Sequence, residues 1–234
     1  MMPVNTFASE FLRKLSKKDY YSEFDANQIF LSIQESPLLW YNIPVIYLKM
    51  KKGDSIRSII GVDKSKKHVS LVDFFTERGE YKLAPYLEDA YKAQVPTGYQ
   101  KEFKETDQRV NLLYNMIEGN SLKLFPIPND DNNKWVSLPE VKDVNFNGAD
   151  SLYVNNVLQL YFQTLRGSKI SGDYSQSEEL LESIKGFQNK YGKDVMPTDS
   201  KISSEIIYNR VDIFNKLYRW YLMFGLSLLL ILIL

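Results

Sequence analysis

The last fifteen residues, Trp220 to Leu234 in "WYLMFGLSLLLILIL", carry no charge. As a helix rising about 1.5 Å per residue the run reaches roughly 22 Å, short of a hydrocarbon layer about 30 Å thick. Its final nine residues are apolar on every face apart from Ser227, which disfavours an ordinary core helix with one polar side. The run is expected to be the start of a transmembrane helix at about 220–234, with its remainder beyond Leu234; a buried core helix and a complete tail anchor are the alternatives. Tyr218, Trp220 and Tyr221 fall where aromatic anchors meet the membrane interface. Arg210, Lys216 and Arg219, with Asp212 among them, stand just before the run, and the positive-inside tendency alone would put the preceding domain in the cytoplasm.

The rest of the chain is polar, and its 29 Lys and Arg balance 29 Asp and Glu. A nucleic-acid binder needs a basic excess to neutralise phosphates, and no basic face is legible, so nucleic acid is excluded as a partner. The absence of cysteine removes disulfides, thiolate zinc sites and redox thiols. "MMPVNTFASEFLRKL" lacks the apolar core of a secretory signal.

The patterning predicts a mainly α fold: an irregular multi-helix domain over 1–199, a few short strands, and a long helix from about Ser200 running into the truncated span. Phe7, Phe11, Leu12 and Leu15 share one helical face. Asp25 and Gln28 form a capping-box pattern for a second helix ending near Pro37. Val45 to Leu48 reads as a short strand, "DSIRSIIGV" as two helical turns, and "HVSLVDFFTERGEY" as a short helix closed by Gly79. Pro85 opens another helix. Tyr99, Phe103, Val110, Leu113, Tyr114 and Ile117 define a long surface helix with a charged outer face. Lys123 to Phe125 reads as a strand followed by a loop carrying Trp135. Two helices follow, one with Leu152, Val157, Leu160, Tyr161 and Leu165, the other with Leu180, Leu181, Ile184 and Phe187, capped by Ser175 and Glu178 and stopped at Gly192.

Candidate chemistry is sparse. His68 is the only histidine, which excludes a His-based triad and a multi-histidine metal site; among its lysines it reads as a solvated loop residue. Asp130 and Asp131 in "NDDNNKW" lack the EF-hand spacing and read as a turn. Glu178, Glu179 and Glu182 form the solvent face of a helix, and no phosphate-binding glycine loop occurs. No catalytic, cofactor-binding or metal-binding residue is assigned. Among 16 tyrosines, 13 phenylalanines and 3 tryptophans, Trp40, Tyr41 and Trp135 are candidate partner-facing aromatics, because such residues dominate binding hot spots.

Several stretches taken in order resemble one family. "PVNTFASEFLRKLSKKD", "DANQIFLSIQESPLLWYNIPVIYLK", "KLAPYLEDAYKA", "DQRVNLLYNMIEG", "LKLFPIPNDDNNKWVS" and "DYSQSEELLESIKGFQNKYG" together resemble the extracytoplasmic region of fused ResB/CcsA-type, system II cytochrome c biogenesis proteins. The resemblance covers most of residues 3–220. It implies a periplasmic domain preceding a CcsA-like core of the inner membrane, with apocytochrome c and that core as partners, in a protein that exports haem and attaches it to CxxCH motifs as a cytochrome c synthase. The tryptophan-rich haem signature and the histidines of that core are not in these 234 residues, so no cofactor site is carried over and haem is implied for the full-length protein alone. The alternatives are a membrane-tethered helical interaction module without activity and a hydrolase using paired carboxylates.

Overall fold

The computed structural model describes residues 2–211 and 213–233, with all of their side chains except those of 210 and 213–216. The charges of Arg210, Asp212 and Lys216, and the apolar side chains of Ile213 and Phe214, therefore lie outside the described part, as does Leu234. The chain divides into two compact units, Ala8–Met196 and a smaller one made of Met1–Phe7 with Pro197–Leu234.

In the larger unit most elements follow the apolar spacing. α1 (Val4–Ser16), which belongs to this unit from Ala8 on, buries Phe11, Leu12 and Leu15. A two-stranded ribbon without a sequence forecast follows, β1 (Tyr20–Tyr21) antiparallel to β2 (Phe24–Asp25). α2 (Ala26–Glu35) starts with the expected capping box: the Gln28 N–H donates to Asp25 Oδ1 at 2.8 Å and the Asp25 N–H to Gln28 Oε1 at 2.9 Å.

β3 (Ile46–Tyr47) pairs with β4 (His68–Val69), and α3 (Asp54–Ile60) lies between them in sequence, closed by Gly61 at φ 81°. The helix expected over "HVSLVDFFTERGEY" is replaced by β4, a 3₁₀ turn at Val72–Phe74 and a bridge between Phe75 and Tyr81. Asp73 Oδ2 accepts from the Ser70 N–H at 2.8 Å and from its hydroxyl at 2.6 Å, half of a capping box that starts a helical turn, but the turn stops at Phe75, whose backbone is extended at φ −116° and ψ 149°.

α4 (Ala84–Lys92) and α5 (Gly98–Ile117) come next. α5 buries Phe103, Val110, Leu113 and Ile117 as predicted, but Tyr99 and Tyr114 are exposed, and Glu102, Asp107 and Arg109 on the supposed solvent face are buried. The expected loop around Trp135 is instead β6 (Trp135–Ser137), paired with β5 (Lys123–Pro126).

α6 (Gly148–Ser171) and α7 (Ser175–Gly192) form a helical hairpin against this ribbon. Their core joins Val154, Val157, Ile184 and Phe187 to Phe125 and Val136. Leu152, Leu160 and Leu181, predicted inside, are exposed. Ser175 is not the cap of α7, since Tyr174 holds that position without a side-chain bond.

The smaller unit holds α8 (Asp199–Val211) and α9 (Ile213–Ile233). Asn209 Nδ2 donates to Thr6 Oγ1 at 2.6 Å. The long helix predicted from Ser200 passes through residue 212, outside the described part. Leu222, Leu226, Leu229 and Leu232 on α9 are all exposed. Among the described residues, however, no helix is long and apolar enough to cross a membrane, so the expected span finds no support in the helix itself.

Candidate functional site

The carboxyl ends of two helices of the larger unit border a single groove. From α2 comes Gln34; from the end of α5 come Ile117, Glu118 and Gly119; Leu122 follows. Leu138 and Pro139 form one lip, and Leu158, Gln159 and Phe162 of α6 form the far wall. The cavity holds about 250 Å³, below the roughly 300–1,000 Å³ of sites that enclose a small molecule. A space of that size accommodates side-chain-sized groups.

Its walls are held by bonds between distant segments. Gln34 Nε2 donates to the Met116 carbonyl at 3.3 Å, joining α2 to α5. Arg166 donates to Glu35 twice, from Nε to Oε1 at 2.8 Å and from Nη2 to the backbone carbonyl at 2.9 Å. The carboxyl end of α2, which has no basic residue in its last turn, is thus neutralised from α6. The carboxyl end of α5 also lacks a basic residue, and the exposed Glu118 beside it pairs with no cation among the described residues. Glu118 instead accepts from the Tyr41 hydroxyl at 3.1 Å. Burial first, and then Glu118, push the Tyr41 phenol up.

The Leu138–Pro139 lip is positioned by Glu140, whose Oε2 accepts from the Ser137 N–H at 2.8 Å and hydroxyl at 2.9 Å while Lys123 pairs with it at 2.9 Å. The Ser137 N–H, followed by Lys123 and the Ser137 hydroxyl, pulls the Glu140 carboxyl down to about 2 from 4.5. A carboxylate depressed in the folded state adds stability that is complete above its unfolded pKa and is lost as pH falls through the folded one. Solvent screening keeps the effect small, because the side chain is 37% exposed. Glu140→Gln is expected to flatten the acid limb of the unfolding midpoint between pH 4.5 and about 2; an identical limb in both proteins would count against this.

Elsewhere, charges converge for structural reasons. Lys49 lies 3.3 Å from Glu102 and 2.7 Å from Glu105, while Arg109 lies 2.9 Å from Glu105 and donates to the Tyr47 carbonyl at 3.2 Å. Burial raises the Glu105 pKa, but bonds from Lys49 and Arg109 outweigh it and hold the carboxyl below its usual value. Glu102 is 1% exposed and sits among cations, so this is no acid/base pair open to substrate, and the group ties β3 to α5. Among the described residues no cluster of His, Asp or Glu is arranged to hold a metal ion.

The residues singled out from sequence separate. Trp40 is 4% exposed and its indole donates to Ser32 Oγ at 3.1 Å, so it is a core residue and not a partner-facing one. Half-buried Tyr41 sits at the groove through Glu118. Trp135 is half-buried over Gly192, away from the groove lining. Tyr218, Trp220 and Tyr221 are exposed on α9. His68 is not a solvated loop residue: it lies in β4, half-buried, with Nε2 2.9 Å from the Ser16 carbonyl. A carbonyl only accepts, so Nε2 carries the proton, and burial lowers the ring's pKa. Asp130 accepts from the Asn132 and Lys134 N–H groups in the expected turn. Sequence reasoning missed Glu118, whose only signal was the adjacent Gly119 stop, and Leu138, which carried no signal.

No protein-family model matches the chain. Among curated proteins, Protein NrfI of Wolinella succinogenes is 30% identical over 234 residues, which is 98% of this chain and 25% of that protein. The chain spans about a quarter of the relative's length, and the match runs through both compact units.

Proposed function

We propose that this chain is the extracytoplasmic part of a cytochrome c biogenesis membrane protein, positioning apocytochrome c or supporting a CcsA-like haem-handling core. The observation that carries the reading is the similarity to Protein NrfI along nearly the whole chain, which supports a cytochrome c biogenesis kinship. It agrees with the ordered resemblance of six segments to the fused ResB/CcsA proteins. In this reading the domain faces the periplasm from the inner membrane. Tyr218, Trp220 and Tyr221 sit at the lipid–water boundary and the apolar end of α9 enters the hydrocarbon layer. Haem and its attachment chemistry belong to other parts of the full protein.

The runner-up is a membrane-tethered helical interaction module without enzymatic activity, favoured by the exposed Leu152, Leu160 and Ile170 on α6. Deleting residues 8–196 from the encoding gene separates the two. Loss of covalently haem-stained cytochromes c, with the remaining protein still present in the membrane fraction, is the expected result. Normal cytochrome c maturation would overturn the leading reading.

A further inference from the structure

We propose that the groove beside Glu118 docks an extended segment of a partner polypeptide that carries an apolar side chain next to a lysine or arginine. Three observations fix that chemistry. The cavity, about 250 Å³, is walled mainly by Ile117, Leu138, Leu158 and Phe162, so its inner part favours an aliphatic or aromatic side chain. The last turn of the 20-residue α5 has no basic residue, so the partial negative charge at that helix end is uncompensated on its own helix. Glu118 adds a full negative charge at the same place, and it is hydrogen-bonded by neutral Tyr41 rather than paired with a cation.

The contrast with α2 makes the electrostatic point. Both helices end at the groove and both lack a basic residue in the last turn. α2 receives Arg166 from α6, whereas the end of α5 receives no cation from any described residue. A guanidinium or ammonium on the partner would occupy beside Glu118 the role that Arg166 fills beside Glu35. The surface continues without charge along α6 through Leu160, Asn156 and Leu152, all exposed, which gives an extended segment room to run on from the pocket.

The inference deepens the proposed function by naming the kind of segment the domain would hold. Its test uses the full 234-residue chain in detergent micelles and three fluorescein-labelled peptides: Gly-Ser-Leu-Phe-Lys-Ser-Gly, the same with glutamate for lysine, and the same with serine for leucine and phenylalanine. The lysine peptide is expected to raise anisotropy saturably, with each substituted peptide at least about fivefold weaker, the scale of one rim charge or one apolar anchor. Glu118→Gln, at an exposed position, should erase the preference for lysine over glutamate. Leu138→Ser, on the exposed lip, should weaken the parent peptide while leaving the thermal melt unchanged.

Equal binding of all three peptides, or binding of none, would overturn the proposal. So would a lysine preference that survives Glu118→Gln. If Leu138→Ser weakened binding to phosphatidylcholine vesicles and left peptide binding alone, the groove would be a lipid contact and the proposal would fall. Peptide binding has no biogenesis readout and the gene deletion has no peptide readout, so each reading stands or falls separately.

Discussion

Arg57→Ala should lower unfolding stability by about 3–5 kcal/mol, the cost of breaking a buried, hydrogen-bonded charge and leaving its partners unpaired. The guanidinium is 0% exposed. It donates to the carbonyls of Lys66 at 2.7 Å, Leu48 at 2.8 Å and Lys49 at 2.9 Å, and pairs with Asp54 at 3.2 Å. These bonds fasten the chain on both sides of α3, next to the β3–β4 ribbon. Alanine would take the guanidinium donors from the Leu48 and Lys66 carbonyls, while the Lys49 carbonyl would keep the Gly53 N–H at 2.9 Å. Asp54→Asn is the control: that carboxylate is 37% exposed, so its loss should cost less than about 1 kcal/mol. Urea denaturation of the three proteins decides the point, and an Arg57→Ala loss below about 1 kcal/mol would defeat the account, being the size expected of a surface pair.

Gly192→Ala carries the second large effect. An added Cβ would stand 2.3 Å from Cζ2 and 3.0 Å from Cε2 of Trp135, which no side-chain contact tolerates. Alanine gains up to about 1 kcal/mol over glycine in a helix interior, so the sign depends on whether the indole can move. The indole belongs to β6, paired with Pro126 in β5, and Phe125 of the same strand packs edge-on to Phe187 of α7 with centroids 6.2 Å apart. Moving the ring therefore disturbs strand and helix together. Overpacking should win by about 1–3 kcal/mol, seen as a midpoint lower by about 2–4 °C for each kcal/mol. In a Trp135→Leu background the same glycine change should cost markedly less, because the clash is the coupling between the two sites. Equal costs in both backgrounds would show that the helix end, and not the indole, sets the requirement for glycine.

Both residues mark where the sequence stops being informative. In "DSIRSIIGV" the helix and its glycine stop are legible from spacing, but an arginine whose partners are backbone carbonyls leaves no pattern of paired acidic residues to read. Gly192 is visible as a helix stop, yet its contact with a residue 57 positions earlier in the chain comes from tertiary packing. The capping box at Asp25 was readable because both partners lie within one turn. The helix expected after His68 is cut to one turn because the backbone at Phe75 is extended and bridges Tyr81, and the buried charges of α5 were hidden because their partners lie outside that helix, Lys49 for Glu102, Tyr47 for Arg109, and Tyr81 with Tyr91 for Asp107. The groove was illegible for the same reason. Gln34, Glu118, Leu138 and Phe162 come from four elements, and no local spacing links them.

The three β ribbons described above bear on how the protein behaves at high concentration. Each is an isolated pair of strands two to four residues long, and so keeps open edges. Edges this short offer too few backbone groups to template the growth of a larger sheet. Self-association through strand addition is therefore disfavoured throughout the larger unit. The exposed apolar side chains of α9 in the smaller unit are the surface that calls for shielding during purification, and a solubilising detergent, rather than any change to the strands, is expected to keep the chain dispersed.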